Sequence, residues 1–184
     1  MKNKVQWLCA FAVLGLLLGA TGIAIGNIDK LISKTPGGGI AAAAHAAAPV
    51  VVIDPGHGGE DGGATGVSGT SEAELNLDVS LRLRDLLRLC GIQVSMIRET
   101  DTAVYSDGCS TISEKKISDI KNRTEMVNRT ENAMLLSIHQ NFFTEGKYHG
   151  AQVFYAKTAG SQALAGQLQT NLAQGLEPEN KRQC

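Results

Sequence analysis

Two histidines and one glutamate are the residues of this 184-residue sequence whose types favour metal chemistry. Glu72 lies 15 residues after His57 and 67 residues before His139. Two imidazoles and one carboxylate, with a fourth position left open, form the ligand set of a hydrolytic zinc site. This spacing matches no local motif such as His-Glu-x-x-His, so the fold must bring the three together. The alternative is structural: strand-end histidines that form hydrogen bonds, and a glutamate that favours a helix dipole.

The segments around these residues predict alternating strands and helices. A β-branched run at 50–53 is typical of a strand buried on both faces, and a similar apolar run precedes His139. Seven glycines in residues 56–69 predict a loop with tight or left-handed turns. Ser71, followed three residues later by Glu74, predicts the start of a helix. The remaining predicted elements are strands at 92–97, 133–138 and 152–156 and helices at 114–130 and 161–176.

This order of elements predicts an α/β fold, with a mostly parallel sheet, helices on both faces and sites at the carboxyl ends of the strands. The first two helices are each expected to pack on the sheet through an apolar stripe. The predicted stripes consist of Leu75, Val79, Leu83, Leu86, Leu87 and Leu89 in the first helix and of Ile117, Ile120, Thr124 and Val127 in the second.

The N-terminal 26 residues predict a signal peptide or a membrane anchor. Lys2 and Lys4 precede 21 uncharged residues, at 5–25, which as a helix would be about 30 Å long, enough to cross a bilayer. The lysines favour a cytosolic N-terminus and an exported remainder. Residues 27–49, rich in glycine and alanine, are expected to form a linker to the folded domain at 50–184.

Composition excludes some function classes. The chain has 17 Lys and Arg against 18 Asp and Glu, without a dense basic run, which argues against nucleic acid as a partner. Its four cysteines, at positions 9, 90, 109 and 184, show no Cys-x-x-Cys spacing, so neither a disulfide framework nor a cysteine zinc site is expected.

A family resemblance rests on several residues in a fixed order. These are Asp54-Pro55-Gly56-His57-Gly58-Gly59, Glu72 ahead of Asn76-Leu77, Arg98, Arg123, Asn128 and Ser137-Ile138-His139-Gln140-Asn141. Together they resemble the zinc-dependent N-acetylmuramoyl-L-alanine amidases over about 50–181. Arg98-Glu99-Thr100-Asp101 and Asn122-Arg123-Thr124-Glu125, behind a signal or anchor, are most similar to the germination-specific amidases of the spore cortex.

The resemblance implies a metal site and a substrate. His57, Glu72 and His139 match the ligands of one zinc ion per chain. Glu74 is the competitor for the carboxylate position, but the family places this ligand four residues before Asn-Leu, which is Glu72. Asn141 is a candidate substrate contact, or caps the turn after His139. The family hydrolyses the amide between the lactyl group of muramic acid and L-alanine in peptidoglycan. The resemblance also implies that the protein is exported and acts at the outer face of the cytoplasmic membrane. It leaves open whether a protein activator is needed.

The general base is the point at which the chain departs from the family. The family's catalytic glutamate lies in a Glu-x-Gly-Phe stretch on a late strand, so we expect it, and the last strand or strands of the sheet, to lie beyond Cys184. The catalytic residue is therefore unknown. The carboxylates after His139 are Glu145, Glu177 and Glu179, and none of them has that setting. Glu60 and Asp61, in the glycine loop, are the alternatives.

Three functions remain open at this point. The first is the amidase, with its activity in this chain undecided. The second is a non-catalytic relative that retains zinc and binds peptidoglycan. The third is another zinc hydrolase, such as a carboxypeptidase, which would need a guanidinium to bind a free carboxylate. Arg98 and Arg123 are instead expected to hold the strand-end loops through carboxylate pairs.

Overall fold

The computed structural model describes residues 48–142 and 149–184, so the predicted signal or anchor and all but the end of the linker lie outside the described residues. Among the described helices, none is both long enough and apolar enough to span a bilayer. The elements are β1 (Val50–Pro55), α1 (Glu72–Leu89), β2 (Val94–Met96), α2 (Ile112–Asn128), β3 (Ala133–Ile138) and α3 (Ser161–Leu176).

The described sheet is parallel, with strand order β2-β1-β3. Val51, Val52 and Ile53 in the central strand are exposed by 2%, 1% and 0%. Because successive side chains of a strand point to opposite faces, both faces of β1 are covered. The crossovers from β1 to β2 and from β2 to β3 run in opposite directions, so right-handed connections place α1 and α2 on opposite faces. The predicted α/β class is confirmed.

Helix α1 begins as predicted but presents a different face to the sheet. Ser71 is its N-cap, and the Ser71 Oγ accepts a hydrogen bond from the Glu74 N–H at 3.2 Å. The buried residues are the small or polar Ala73, Asn76 and Ser80 together with Glu72, while Leu75, Val79, Leu86 and Leu89 are exposed. The predicted leucine stripe is therefore largely wrong. Small side chains let the helix lie close to β1, and Asn76 Nδ2 donates to the Gly56 carbonyl at 3.2 Å.

Helix α2 is held by polar contacts. It begins at Ile112, two residues before the predicted start, with a capping box between Thr111 and Glu114. Ile117 and Ile120 are 67% and 66% exposed, so the predicted apolar stripe of this helix does not form. Asp119 instead accepts a hydrogen bond from the Val104 N–H at 2.7 Å. Hydrogen bonds to the preceding loop thus orient α2.

The predicted strand at 152–156 is wrong, whereas the predicted helix after it is confirmed as α3. Residues 151–156 have no regular secondary structure. The Val153 N–H donates to Gln169 Oε1 at 2.8 Å, and the Ala151 carbonyl accepts from Gln169 Nε2 at 3.1 Å and from Asn180 Nδ2 at 2.8 Å. Side-chain amides thus form the hydrogen bonds with this backbone that a neighbouring strand would otherwise form.

Candidate metal centre

The two candidate histidines meet because their strands are neighbours. Pro55 at the end of β1 is paired in register with Ile138 at the end of β3, and each histidine follows within two residues. The imidazole centroids of His57 and His139 are 5.1 Å apart, with ring planes at 76°. The parallel pairing thus brings together two residues that are 82 positions apart in the sequence.

Glu72 completes the cluster from the first turn of α1. The side chain is 7% exposed, and its Oε1 lies 3.2 Å from His57 Nε2 and 3.1 Å from His139 Nδ1. One ligand atom from each of the three residues lies within 4.8 Å of the others. Glu74, the competing carboxylate, is exposed, and the cluster consists of His57, Glu72 and His139 without it.

The carboxylate of Glu72 is held in its ionised form. Burial by itself would raise the pKa of Glu72, but hydrogen bonds and charges outweigh this effect and lower it. The Ala64 N–H donates to Oε2 at 3.1 Å and the Gln140 N–H donates to Oε1 at 3.0 Å, with the two imidazoles also close. An ionised carboxylate needs to release no proton before it binds a cation.

Asp61 orients the imidazole of His57. Its Oδ2 lies 3.0 Å from His57 Nδ1, so this carboxylate binds the ring nitrogen that faces away from Glu72. Burial would raise the pKa of Asp61, but the hydrogen bond with His57, the charge of His57 and that of Lys116 lower it overall. A carboxylate on the second imidazole nitrogen is the usual partner of a metal-binding histidine, since it fixes the tautomer.

Glu60, the other candidate base in the loop, is engaged elsewhere. Lys115 Nζ donates to both of its carboxylate oxygens, at 2.8 and 2.7 Å. The hydrogen bond and charge of Lys115 lower the pKa of Glu60. A carboxylate with a lowered pKa is a weaker proton acceptor, so these contacts do not favour Glu60 as a general base.

Two glycines let the loop approach the candidate ligands. A Cβ at Gly56 would lie 2.2 Å from His139 Cε1, and one at Gly63 would lie 2.8 Å from both Glu72 Oε2 and His57 Cδ2. These distances are far below van der Waals contact. Two imidazoles, one ionised carboxylate and a backbone wall without side chains therefore fit a small divalent cation.

Several residues of this region were not predicted as parts of a site. The Asn76 carboxamide, fully buried, lies between the Gly56 carbonyl and Gln140, whose Nε2 donates to Asn76 Oδ1 at 3.3 Å. Asn76 belongs to the family motif that follows Glu72, and its place one helical turn after that glutamate is the signal that locates it beside the cluster. Asn141 is exposed two residues after His139, and its role as a substrate contact stays a prediction.

The comparisons with known proteins agree with this geometry. The sequence profile of the N-acetylmuramoyl-L-alanine amidase family matches residues 51–183. The chain belongs to this family. The resemblance predicted from the sequence is thus confirmed, and the germination-specific amidase of Bacillus subtilis (strain 168) is a relative, 37% identical over 72% of this chain. The amidase AmiA of Escherichia coli (strain K12) is 34% identical over 63% of this chain.

Solved structures of amidases share the fold. The CwlD amidase from Clostridioides difficile, in complex with the GerS lipoprotein, is 36% identical with a TM-score of 0.70, covering 73% of this chain and 70% of that chain. The amidase AmiC2 of Nostoc punctiforme is 29% identical with a TM-score of 0.58, covering 73% of this chain and 67% of that one. The chain spans 56% of the length of the B. subtilis relative and 36% of AmiA.

Proposed function

We propose that this protein is a zinc-dependent amidase that hydrolyses the amide between the lactyl group of muramic acid and L-alanine in peptidoglycan. The observation that carries the proposal is the cluster of His57, Glu72 and His139, one ligand atom of each lying within 4.8 Å of the others. Membership of the amidase family supports the reaction class, and the germination-specific relative supports spore cortex as the form of peptidoglycan.

The proposed mechanism assigns roles to residues around this cluster. His57, Glu72 and His139 would hold one zinc ion, which when bound supplies Lewis acidity and acidifies a water molecule. Asp61, whose Oδ2 lies 3.0 Å from His57 Nδ1, would accept a proton held on that nitrogen and so leave Nε2 as a lone-pair donor. Asn141, which is exposed two residues after His139, would contact the substrate. Gly56 and Gly63 keep the wall of the site free of side chains.

The general base is not assigned. Glu177, one of the carboxylates that follow His139, has its Oε1 2.7 Å from His149 Nδ1, a contact outside the cluster that does not favour a catalytic role. The resemblance implies a glutamate in a Glu-x-Gly-Phe stretch, which this sequence does not contain. A second function, zinc-retaining peptidoglycan binding without turnover, is therefore tested together with the first.

The test is the zinc content of the full chain, purified in detergent solution, and its activity on purified muropeptides. We expect one zinc per chain in the wild type and close to none in His57→Ala and His139→Ala. His149→Ala is the matched control, since this histidine pairs with Glu177 outside the cluster, and it should retain zinc. Mass spectrometry of the muropeptides would detect release of the peptide that begins with L-alanine.

The outcomes separate the alternatives. Zinc and peptide release together support the amidase. Zinc and muropeptide binding without release support the binding relative, and peptide release from substrates that lack muramic acid supports a carboxypeptidase. A folded wild-type chain without zinc at saturating metal concentration contradicts the ligand assignment.

We also propose that the protein is exported and anchored by residues 5–25. The uncharged run behind Lys2 and Lys4 supports this orientation. Added protease should digest the folded domain of intact protoplasts while cytosolic markers survive. Protection of the domain until the cells are lysed would contradict export.

A protein partner is a further proposal. The CwlD amidase of C. difficile was solved with the GerS lipoprotein, and an envelope lipoprotein is accordingly the class of partner we propose here. Affinity purification of the full chain from its native membranes should recover such a lipoprotein in stoichiometric amounts. Recovery of the chain alone after mild cross-linking would argue against it.

A further inference from the structure

His57 has a backbone conformation that its side chain disfavours. Its φ is +60°, in the left-handed region where a Cβ crowds the following carbonyl. Asn132 is the other described non-glycine residue with a positive φ, a conformation that the short polar side chain of asparagine accommodates through local hydrogen bonds. Such strain persists when surrounding contacts over-determine the conformation, and it concentrates at functional sites. The contacts that fix His57 therefore bear on function.

Two arginines bind three consecutive carbonyl groups at this residue. Arg98 Nη2 donates to the Gly56 carbonyl at 3.0 Å, and Arg123 Nη2 donates to the His57 carbonyl at 2.7 Å. The Pro55 carbonyl accepts from Arg98 Nε and from Arg123 Nη1, each at 2.9 Å. The peptide groups on both sides of the His57 Cα are thus each fixed by a guanidinium, and these two planes define its φ and ψ.

Arg98 reaches both segments that carry candidate ligands. Its Nη2 also donates to the carbonyl of Ala73, the residue after Glu72, at 2.9 Å, and its Nη1 donates to the Thr100 carbonyl at 3.0 Å. All four acceptors are backbone oxygens, and the residue is 4% exposed. A guanidinium presents five donors in a rigid plane, so one side chain can tie the β1 end to the α1 start.

Arg123 is anchored by carboxylates, as expected from the sequence, whereas Arg98 is not. Arg123 Nη1 donates to Asp54 Oδ1 at 2.6 Å, and its Nε is paired with Asp119. The expectation of carboxylate pairs is wrong for Arg98, whose hydrogen bonds within the described residues all go to carbonyl groups. Burial disfavours the Arg98 charge, which is stabilised by the carbonyl oxygens that it binds and by the more distant carboxylates of Asp54, Asp101 and Asp119.

We propose that Arg98 and Arg123 are positioning residues that hold His57 in its left-handed conformation and so aim its Nε2 into the ligand cluster, towards Glu72 Oε1. This inference rests on the proposed function, since it takes His57 as a metal ligand. Loss of either arginine releases the strained residue to a negative φ and turns the imidazole away. The competing explanation is that the arginines only fasten the loop, which lowers thermal stability without changing metal affinity.

The test uses Arg98→Lys in the full chain, because one ammonium group cannot span four carbonyls. Arg82→Lys is the matched control, since Arg82 lies on the exposed side of α1 and pairs with Asp78. Co²⁺ affinity and the visible Co²⁺ spectrum are measured well below the unfolding temperature of each variant. We expect Arg98→Lys to bind Co²⁺ about 10- to 100-fold more weakly with an altered spectrum, and Arg82→Lys to match the wild type.

Each outcome decides the inference. Wild-type affinity and spectrum in folded Arg98→Lys overturn it, whatever the change in unfolding temperature. If circular dichroism shows that Arg98→Lys is unfolded, Arg123→Lys is judged by the same criteria. If neither variant folds, the arginines serve the fold and the proposal is wrong. Failure of the wild type to bind Co²⁺ would contradict the proposed function itself, which the variants alone cannot do.

Discussion

Replacing Gly56 by alanine should expel one candidate ligand while leaving the fold intact. The new Cβ would lie 2.2 Å from His139 Cε1 and 2.4 Å from His139 Nε2. An ordinary carbon–carbon contact is about 3.5 Å, so the ring must retreat by about 1.3 Å, the difference between these two distances. A zinc–nitrogen bond tolerates about 0.2 Å. The displacement is therefore several times what coordination allows.

The cost of this change should appear in metal binding rather than in folding. Gly56 does not have a left-handed φ, so alanine fits its backbone, and the His139 side chain is 48% exposed and can turn into solvent. We expect Zn²⁺ affinity to fall at least about 100-fold, the upper end of the cost of losing an outer contact of a metal site. Competition against a chromophoric chelator measures the affinity, and circular dichroism during heating measures stability.

The control for Gly56→Ala is the same substitution in α3. A Cβ at Gly166 has no neighbour within 4 Å, so Gly166→Ala should keep wild-type affinity and gain up to about 1 kcal/mol of stability from helix propensity. The reasoning is refuted if Gly56→Ala binds zinc as tightly as the wild type. It is also refuted if Gly56→Ala loses its cooperative unfolding transition, since the clash would then be absorbed by the backbone.

Two further predictions follow from the hydrogen bonds of carboxylates. Asp61→Asn removes the charged acceptor of His57 Nδ1 and should weaken zinc binding about 10- to 100-fold. The control is Asp78→Asn at an exposed position, which should leave zinc affinity unchanged. Equal affinities of the two variants in chelator competition would contradict the role of Asp61. The backbone N–H groups of Ser110 and Thr111 lower the pKa of Glu114 from 4.5 to about 2. The stability that this carboxylate provides is fully present above pH 4.5 and is lost as the pH falls towards about 2. Chemical unfolding between pH 5 and 2 should therefore show a shallower loss of stability in Glu114→Gln, and parallel curves would rule out this contribution.

The sequence predicts the parts of the fold that depend on local pattern and on parallel pairing. A β-branched run predicts the buried strand β1 and an apolar run predicts β3, and the histidines that follow these two strands must meet when the strands pair in parallel. Ser71 and Glu74 predict the start of α1, and hence the position of Glu72 in its first turn. These rules bring His57, Glu72 and His139 to one edge of the sheet without any tertiary information.

Helix orientation depends on contacts that local pattern does not contain. Periodicity predicts Leu75 and Leu86 towards the sheet, but Asn76 and Ala73 occupy that face because Gly56 and Arg98 bind them there. These partners lie 20 or more residues away in the chain. The prediction of a strand at 152–156 is wrong for a related reason. β propensity is a local property, whereas the backbone of this segment forms hydrogen bonds with the side-chain amides of distant residues.

The glycine loop makes the left-handed turns that its composition predicts, with positive φ angles at Gly58, Gly59, Gly63 and Gly69. Hydrogen bonds hold it in place: the Gly58 N–H donates to the Asp61 carbonyl at 2.9 Å, and the Glu72 N–H donates to the Ala64 carbonyl at 2.8 Å. A carboxylate oxygen of Asp101 also accepts a hydrogen bond from the Gly59 N–H at 2.8 Å. The glycines are therefore needed for close approach and positive φ angles rather than for mobility. Because the loop is fixed by its own bonds, the candidate ligands are organised before a cation arrives, and metal affinity should respond to small displacements of the loop more than to its composition.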